Sequence, residues 1–462
     1  MARIFDNIDN DLLTTLRAPM QVSHRSDSCV GYLSRFKFVA LTFEKAAAAR
    51  LQDAGERNAS ASPDDLLGAQ AIDAQGGATC TTRFPAAFMR HDVEELVRFP
   101  EEGALWVDVE LIKRLLPDRH SVMEFKGEAA VLIAEKMLQF PLLGKRIGGA
   151  WNLSLTNEFH MTGDSHLFKT QPQAGGLPLY EGKMIHQFDT EFSEPRYWVN
   201  QLESIEELRQ TAARRLNLML RAENLGVSKD EADSGIDSSK IQVDADTYRF
   251  GFRDIVASTN ERAMICSFAP RHHVAGNTIN LQQPWEFVVL GNEWWQKRTM
   301  AEHQQLCLHG VLNGFVVDLM LRQKITSHLT MFYVYQVPVP RDDSNQFVDR
   351  IISRAARLIC TTPEFDDLAK AVGLKPLAGS GTGSSPHRSP LPGGDGTRQK
   401  YGTTDPTERA KLRAELDGLV VHVYGLTEAE FAHILGTFPL VPQPVKVAAQ
   451  NAYRDAERGL IQ

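Results

Sequence analysis

The sequence predicts an α+β protein in which a strand-rich middle is flanked by helical segments. Two observations carry that expectation. Between residues 148 and 340 the apolar residues come in short runs broken by Gly, Pro and Asn, whereas residues 91–147 and 405–462 repeat apolar positions every three or four residues. Length adds a third: 462 residues exceed what one core holds and suggest about two to four domains.

Along the chain, LSRFKFVALTF (33–43) mixes β-branched and aromatic residues and predicts a strand entering a core. Residues 53–82 are poor in large apolar groups and read as a mobile excursion. DVELIKRLL and EAAVLIAEKMLQF predict helices, with PLLG as a stop, and complete an N-terminal α/β docking segment over 1–147. The middle offers strands at WNLSL, KMIHQF, YRFGFRDI, AMICSFA, FVVL and FYVYQVPVP. One helix interrupts them, LESIEELRQTAARRLNLMLRAENLG, acidic early and basic late as the helix dipole favours.

A helical brace (341–376) and a flexible Gly/Ser/Pro linker (377–404) come next. After the linker, Asp405 can cap a helix, Pro406 suits its first turn and Glu408 occupies the capping-box position. Leu412, Leu416, Leu419 and Val423 share one face, and Gly425 ends the helix. Thr427 and Glu430 repeat the box for a following helix, within a C-terminal helical region over 405–462.

Apolar residues (43%) and charged residues (23%) are ordinary for a globular protein, and the net charge of −8 argues against a protein that coats nucleic acid uniformly. A local basic face remains open, since phosphate contacts need only a few placed Lys and Arg. Five scattered cysteines, never spaced CxxC, predict neither a disulfide framework nor a cysteine zinc site, and fit a reducing compartment. No apolar run approaches the ~20 residues that span a bilayer, and MARIFDNIDNDLL lacks a signal peptide's basic end and apolar core. A cytoplasmic protein without membrane contact is expected.

Several motifs imitate chemistry. In PDRHSVMEFK, Asp118, Glu124 and Lys126 mimic two carboxylates holding Mg²⁺ beside a lysine, as in many nucleases. The short gap and helical flanks favour a loop between helices instead. His272 and His273 lack a second ligand pair, and GSGTG (379–383) lies in the linker with no strand before it. None of the 22 prolines adjoins another, so the (D/N)PP(Y/F) loop that grips a flipped adenine in amino-methyltransferases is absent, as is a Gly-rich turn for S-adenosylmethionine.

Two polar-basic runs stand out. RFGFRDIVASTNERAMICSFAPRHH carries Arg253, Ser258, Thr259, Asn260 and Arg262, and LRQKITSHLT carries Arg322, Lys324 and His328. Arg and Asn contact guanine and adenine edges bidentately, while Ser, Thr and Lys serve phosphates. A solvated loop is the plain alternative. Residues 189–208, with six acids against Arg196, should face away from nucleic acid.

Taken in order, WNLSLTNEFHMTGDSHLF, LPLYEGKMIHQFD, PRYWV, GFRDIVASTNERAMI, LNGFVVDLMLRQK, the run ending QVPVP, and ERAKLRAELDGLVVHVYGLTEAEFAHILGTFP resemble the C-terminal half of large adenine-specific DNA methyltransferases and type IIG restriction–modification enzymes. The likeness runs from about residue 30 to 440. It implies a target-recognition domain over 148–340 that reads double-stranded DNA, without the catalytic domain that would precede it. Lys183 would then bind the DNA backbone and Gln187 reach a base, with Leu177, Leu179 and Ile185 in the core. The sequence departs from the family at Ala263, where Thr is usual, and lacks a glycine near Ser327.

The resemblance implies no cofactor in this chain. S-adenosylmethionine, and Mg²⁺ where a nuclease accompanies it, would belong to a catalytic partner, an N6-adenine methyltransferase domain or subunit. Catalysis by this chain alone is therefore an open question. The rival readings are a Mg²⁺-dependent nuclease using Asp118, Glu124 and Lys126, or an inactive fragment of a split methyltransferase gene.

Overall fold

The computed structural model describes residues 3–6, 25–32, 37–44, 83–90, 104–108, 111, 114, 125, 127–223, 236–257, 260–325, 327–377 and 400–461. They fall into two compact units, Met1–Gln139 and Phe140–Gln462. Mixed helices and sheets make the fold α+β, as the two textures of the sequence predict.

In the first unit, β1 (Arg3–Asp6), β2 (Arg25–Tyr32), β3 (Lys37–Glu44), β4 (Arg83–Arg90) and β5 (Leu105–Asp108) lie side by side in that order. β1 runs parallel to β2 and the other pairings are antiparallel. Helix α1 (Glu128–Met137) starts on an acid, ends near Lys136, and buries Val131, Ile133, Ala134 and Met137. The strand expected at 33–43 and the helix expected from EAAVLIAEKMLQF are both present. The 53–82 excursion and the Asp118, Glu124 and Lys126 set lie outside the described residues.

The second unit begins with β6 (Leu155–Thr156), β7 (Gly176–Tyr180), β8 (Trp198–Asn200) and the long helix α2 (Gln201–Glu223). β9 (Arg249–Arg253), β10 (Cys266–Ala269), β11 (Val274–Ala275), β12 (Ile279–Gln282) and the hairpin β13 (Trp285–Leu290)–β14 (Glu293–Arg298) follow. One sheet has the order β10-β9-β12-β6 and another β11-β7-β8. β9 is buried on both faces: Phe250 and Phe252 are fully covered, and a Cβ on Gly251 would come within 2.7 Å of Ile279 and Leu281. Arg249, at 0% exposure, is tolerated there because it is paired with Glu158 and bonded to the His273 carbonyl.

Helices close the unit: α3 (Glu302–Leu312), α4 (Phe315–Arg322), α5 (Met331–Tyr335), α6 (Val348–Ile359), α7 (Asp366–Ala371), α8 (Pro406–Val423), α9 (Glu428–Gly436) and α10 (Gln443–Glu457). α8 starts as its sequence signals. The Asp405 carboxylate accepts the Glu408 N–H at 2.8 Å, and Pro406 opens the helix. It ends in a Schellman motif, with Gly425 N–H on the His422 carbonyl, Leu426 N–H on the Val421 carbonyl, and Gly425 at φ 64°. Leu412, Leu416, Leu419 and Val423 are all buried, and the Thr427–Glu430 box caps α9. The segments separated in sequence as 148–340, 341–376 and 405–462 share this one unit. Leu377 N–H bonds the Lys400 carbonyl at 2.9 Å, so the two ends of the Gly/Ser/Pro stretch lie together.

Three expected strands differ. WNLSL contributes only Leu155, the first of the two residues of β6. FYVYQVPVP opens as the single-turn helix α5, and its valines then run beside Leu142 through an isolated bridge at Pro338, a residue with no N–H for a ladder. KMIHQF is no strand either. A 3₁₀ turn, Gly182–Met184, precedes an irregular segment in which Phe188 takes φ 59°. The carbonyls of Ile185, Gln187 and Phe188 accept from Arg253, Arg413 and Arg409 instead of a neighbouring strand. Leu179 and Ile185 are core as expected, while Leu177 is half-buried.

Candidate nucleic-acid interface

The fold brings the two polar-basic runs together. The segment leaving β9 lies against the segment after α4: Leu329 N–H bonds the Asp254 carbonyl at 2.7 Å, and Val256 N–H bonds the Ser327 carbonyl at 3.2 Å. Ile255 and His328 form a bridge, and His328 Nδ1 sits 2.8 Å from Asp254 Oδ2. From this paired ledge Ile255, Asn260, Ser327 and His328 face solvent. Ser258 and Thr259 belong to it by sequence but lie outside the described residues. Thr278 ties in the turn that carries Lys183. Its hydroxyl accepts from Gly182 N–H at 2.9 Å, and its carbonyl accepts from Asp254 N–H at 3.0 Å. Lys183 is exposed, with its ammonium 3.6 Å from Glu181.

Other sequence candidates are committed to holding this ledge. Gln187, expected at a base, is buried and gives its amide N–H to the Met264 and Asn313 carbonyls at 2.8 and 3.3 Å. Arg262 pairs with buried Asp318, Nε to Oδ2 2.9 Å, over the ring of Phe315. Asp318 also accepts the Ala263 backbone N–H, shared between its two oxygens. Arg322 donates to the Asn260 and Glu261 carbonyls, both at 2.7 Å, and covers Phe438. Lys324 is half-buried, 3.2 Å from Gln336 Oε1, and burial draws its pKa down to about 8. For Gln187, Arg262 and Arg322 the inward bonding has one cause: burying a donor or a charge requires a partner, and these partners are internal.

Arg253 is half-buried, with Nε 2.8 Å from the Ile185 carbonyl and its guanidinium 5.7 Å from the centre of the Phe192 ring. It borders a cleft of about 1570 Å³ between the His186–Asp189 segment and helices α8 and α10. Arg409 reaches the Phe188, Leu358 and Thr403 carbonyls at 2.8–2.9 Å, and Arg413 reaches the Gln187 carbonyl. Burial, then Arg413 and Arg253, pushes His186 down to about 4, so its ring is neutral.

Comparison with known proteins adds little. No known family profile and no curated protein sequence matches the chain. A solved structure of the Type IIL restriction-modification enzyme MmeI in complex with DNA is similar over 67% of this chain and 37% of that one, at 12% identity and a TM-score of 0.28. The chain thus spans little more than a third of that enzyme's length.

Sequence reading missed Arg409, Arg413 and Asp318. The first two stand four apart on α8, on one side of the helix, but the apolar stripe drew the reading to the other side. Asp318 was detectable as a lone acid inside the apolar run FVVDLML, which demands a cationic partner when buried. Among the described residues no three His, Cys, Asp or Glu side chains are grouped to hold a metal, and no helix is long and apolar enough to cross a membrane.

Proposed function

We propose that this chain is a DNA-binding specificity module of a restriction–modification or adenine-specific methyltransferase system. The observation that carries the reading is the paired ledge. Two runs some seventy residues apart, each rich in groups that suit base edges and phosphates, are joined by backbone bonds and present Asn260 and His328 outward, with the turn of Lys183 tied in through Thr278. The ordered motifs of the sequence support the same reading. In it, a separate catalytic domain or subunit transfers the methyl group from S-adenosylmethionine to adenine N6, because this chain has neither the adenine-gripping motif nor a Gly-rich turn for that cofactor.

The test is fluorescence anisotropy of the full chain with labelled duplex DNA across a salt series. Binding should weaken by roughly an order of magnitude or more between about 50 and 200 mM salt for a few phosphate contacts. Absence of any affinity at low ionic strength, with or without a methyltransferase subunit, refutes the module. Methyl transfer by the purified chain alone refutes its dependence on a partner.

A further inference from the structure

We propose that the end of the α8–α10 cleft bordered by Arg253, Arg409 and Arg413 binds the phosphate of a nucleotide, with the base laid on the ring of Phe192. Asn260 of the ledge also lines this cleft, but the proposal stands whether or not the duplex-binding reading holds.

Three features meet there. Arg253 and Arg413, from β9 and α8, spend their bonds on the neutral carbonyls of Ile185 and Gln187, which leave the guanidinium charge in place. Arg413 is under-bonded, since its buried Nε–H has no hydrogen-bond partner. The planar fork of a guanidinium matches the oxygens of a phosphate.

The electrostatics of the cleft are divided. Asp189, Glu261, Asp417 and Asp455 also line it, while Glu415 is held by Arg354 at 2.7 Å and Arg262 is matched by Asp318. Burial, then Arg409 and Arg262, brings the Arg413 guanidinium down to about 10 against the opposing pull of Asp417 and Asp189. An anion arriving there would offset the cost that burial imposes on the Arg413 charge.

Phe192 supplies the second half of the recognition. It is 53% exposed, lies 4.7 Å from the His186 ring at 30°, and has the Arg253 guanidinium nearby. A half-exposed ring beside arginine inside a concavity is how bases are held by stacking. Helix α10 adds the small or apolar Pro444, Val445, Ala448 and Ala452 to the lining, beside Asn451 and Asp455, and these leave room for a flat base and sugar. Phe188, between these groups, sits at a positive φ with its carbonyl clamped by Arg409, so backbone strain is concentrated at this spot.

The experiment is isothermal titration of the full chain at low salt with inorganic pyrophosphate, ATP and a short single-stranded oligodeoxynucleotide. Pyrophosphate and ATP should both bind, ATP more tightly. Tighter binding of the oligonucleotide by about tenfold would identify a strand as the source of the phosphate, and its failure to compete would identify a free nucleotide. Arg413→Gln should weaken all three, and Phe192→Ala should weaken ATP roughly tenfold while sparing pyrophosphate. Should Arg413→Gln fold poorly by circular dichroism, Phe192→Ala decides the matter. No heat with pyrophosphate or ATP, or equal affinity in wild type and these variants, overturns the site. Duplex affinity can fail without touching this result, and the reverse also holds.

Discussion

Arg262 and Asp318 form a buried ion pair, Nε to Oδ2 2.9 Å, with the guanidinium 3.9 Å above the ring of Phe315. The Asp318 carboxylate also accepts backbone N–H groups from Ala263 and Met264. This one acid therefore joins helix α4 to the segment that leads from the outward ledge into β10, and an arginine that suits a base edge serves the interior.

Arg262→Ala strands the Asp318 charge in the core. It should cost about 3–5 kcal/mol of stability, measured by urea unfolding. Unchanged stability with a selective loss of DNA affinity would show instead that Arg262 reads DNA.

Asn260→Ala and His328→Ala act on exposed side chains. Each should leave the melting behaviour within about 1 kcal/mol of wild type and weaken duplex binding by about 1–3 kcal/mol at a base-reading position. Anisotropy with base-substituted duplexes measures the second effect. Equal affinity in both variants would remove the ledge as the reading surface.

Gly418→Ala tests the α8–α10 crossing. A Cβ at Gly418 would lie 2.6 Å from the Tyr453 backbone nitrogen, where no flexible side chain can yield. Separating two packed helices should cost about 1–3 kcal/mol in a thermal melt. Gly436→Ala, a helical position with open space around its Cβ, should leave stability unchanged or slightly raised.

Asp417 gives a pH test. Burial pushes its carboxyl up to about 6, above the ~3.9 of an unfolded chain. The folded state therefore holds this proton more tightly, and the stability it contributes grows as pH falls from about 6 toward 4 and is lost as pH rises through 6. His186 and His309, pushed by burial down to about 4 and about 3, work the other way, because only the unfolded chain protonates them just below pH 6.5. Asp417→Asn can keep the bond from Phe315 N–H while removing the titration. Between pH 6 and 4 the variant should lose stability relative to wild type by on the order of 1.4 kcal/mol per pH unit, read from urea midpoints. A constant difference across that range would contradict it.

Local signals were legible where local physics decides. The cap at Asp405, the Gly425 stop, the Thr427–Glu430 box and the buried stripe of α8 depend on neighbours within a few residues, and all are present. The irregular His186–Asp189 segment was not legible, because its conformation depends on arginines up to 226 positions away. The same holds for FYVYQVPVP, whose alternation reads as a strand but whose prolines deny it a ladder.

By itself the sequence determined the mixed α+β character, the helix ends, and the collection of polar residues that suits DNA. Tertiary structure alone decided which of those residues face outward. Asn260 and His328 face solvent, whereas Gln187 and Arg262 are turned inward by partners that sequence distance conceals. The reason is that propensity and capping act over a single turn of chain, while the demand that every buried charge and donor be matched is met across the whole fold.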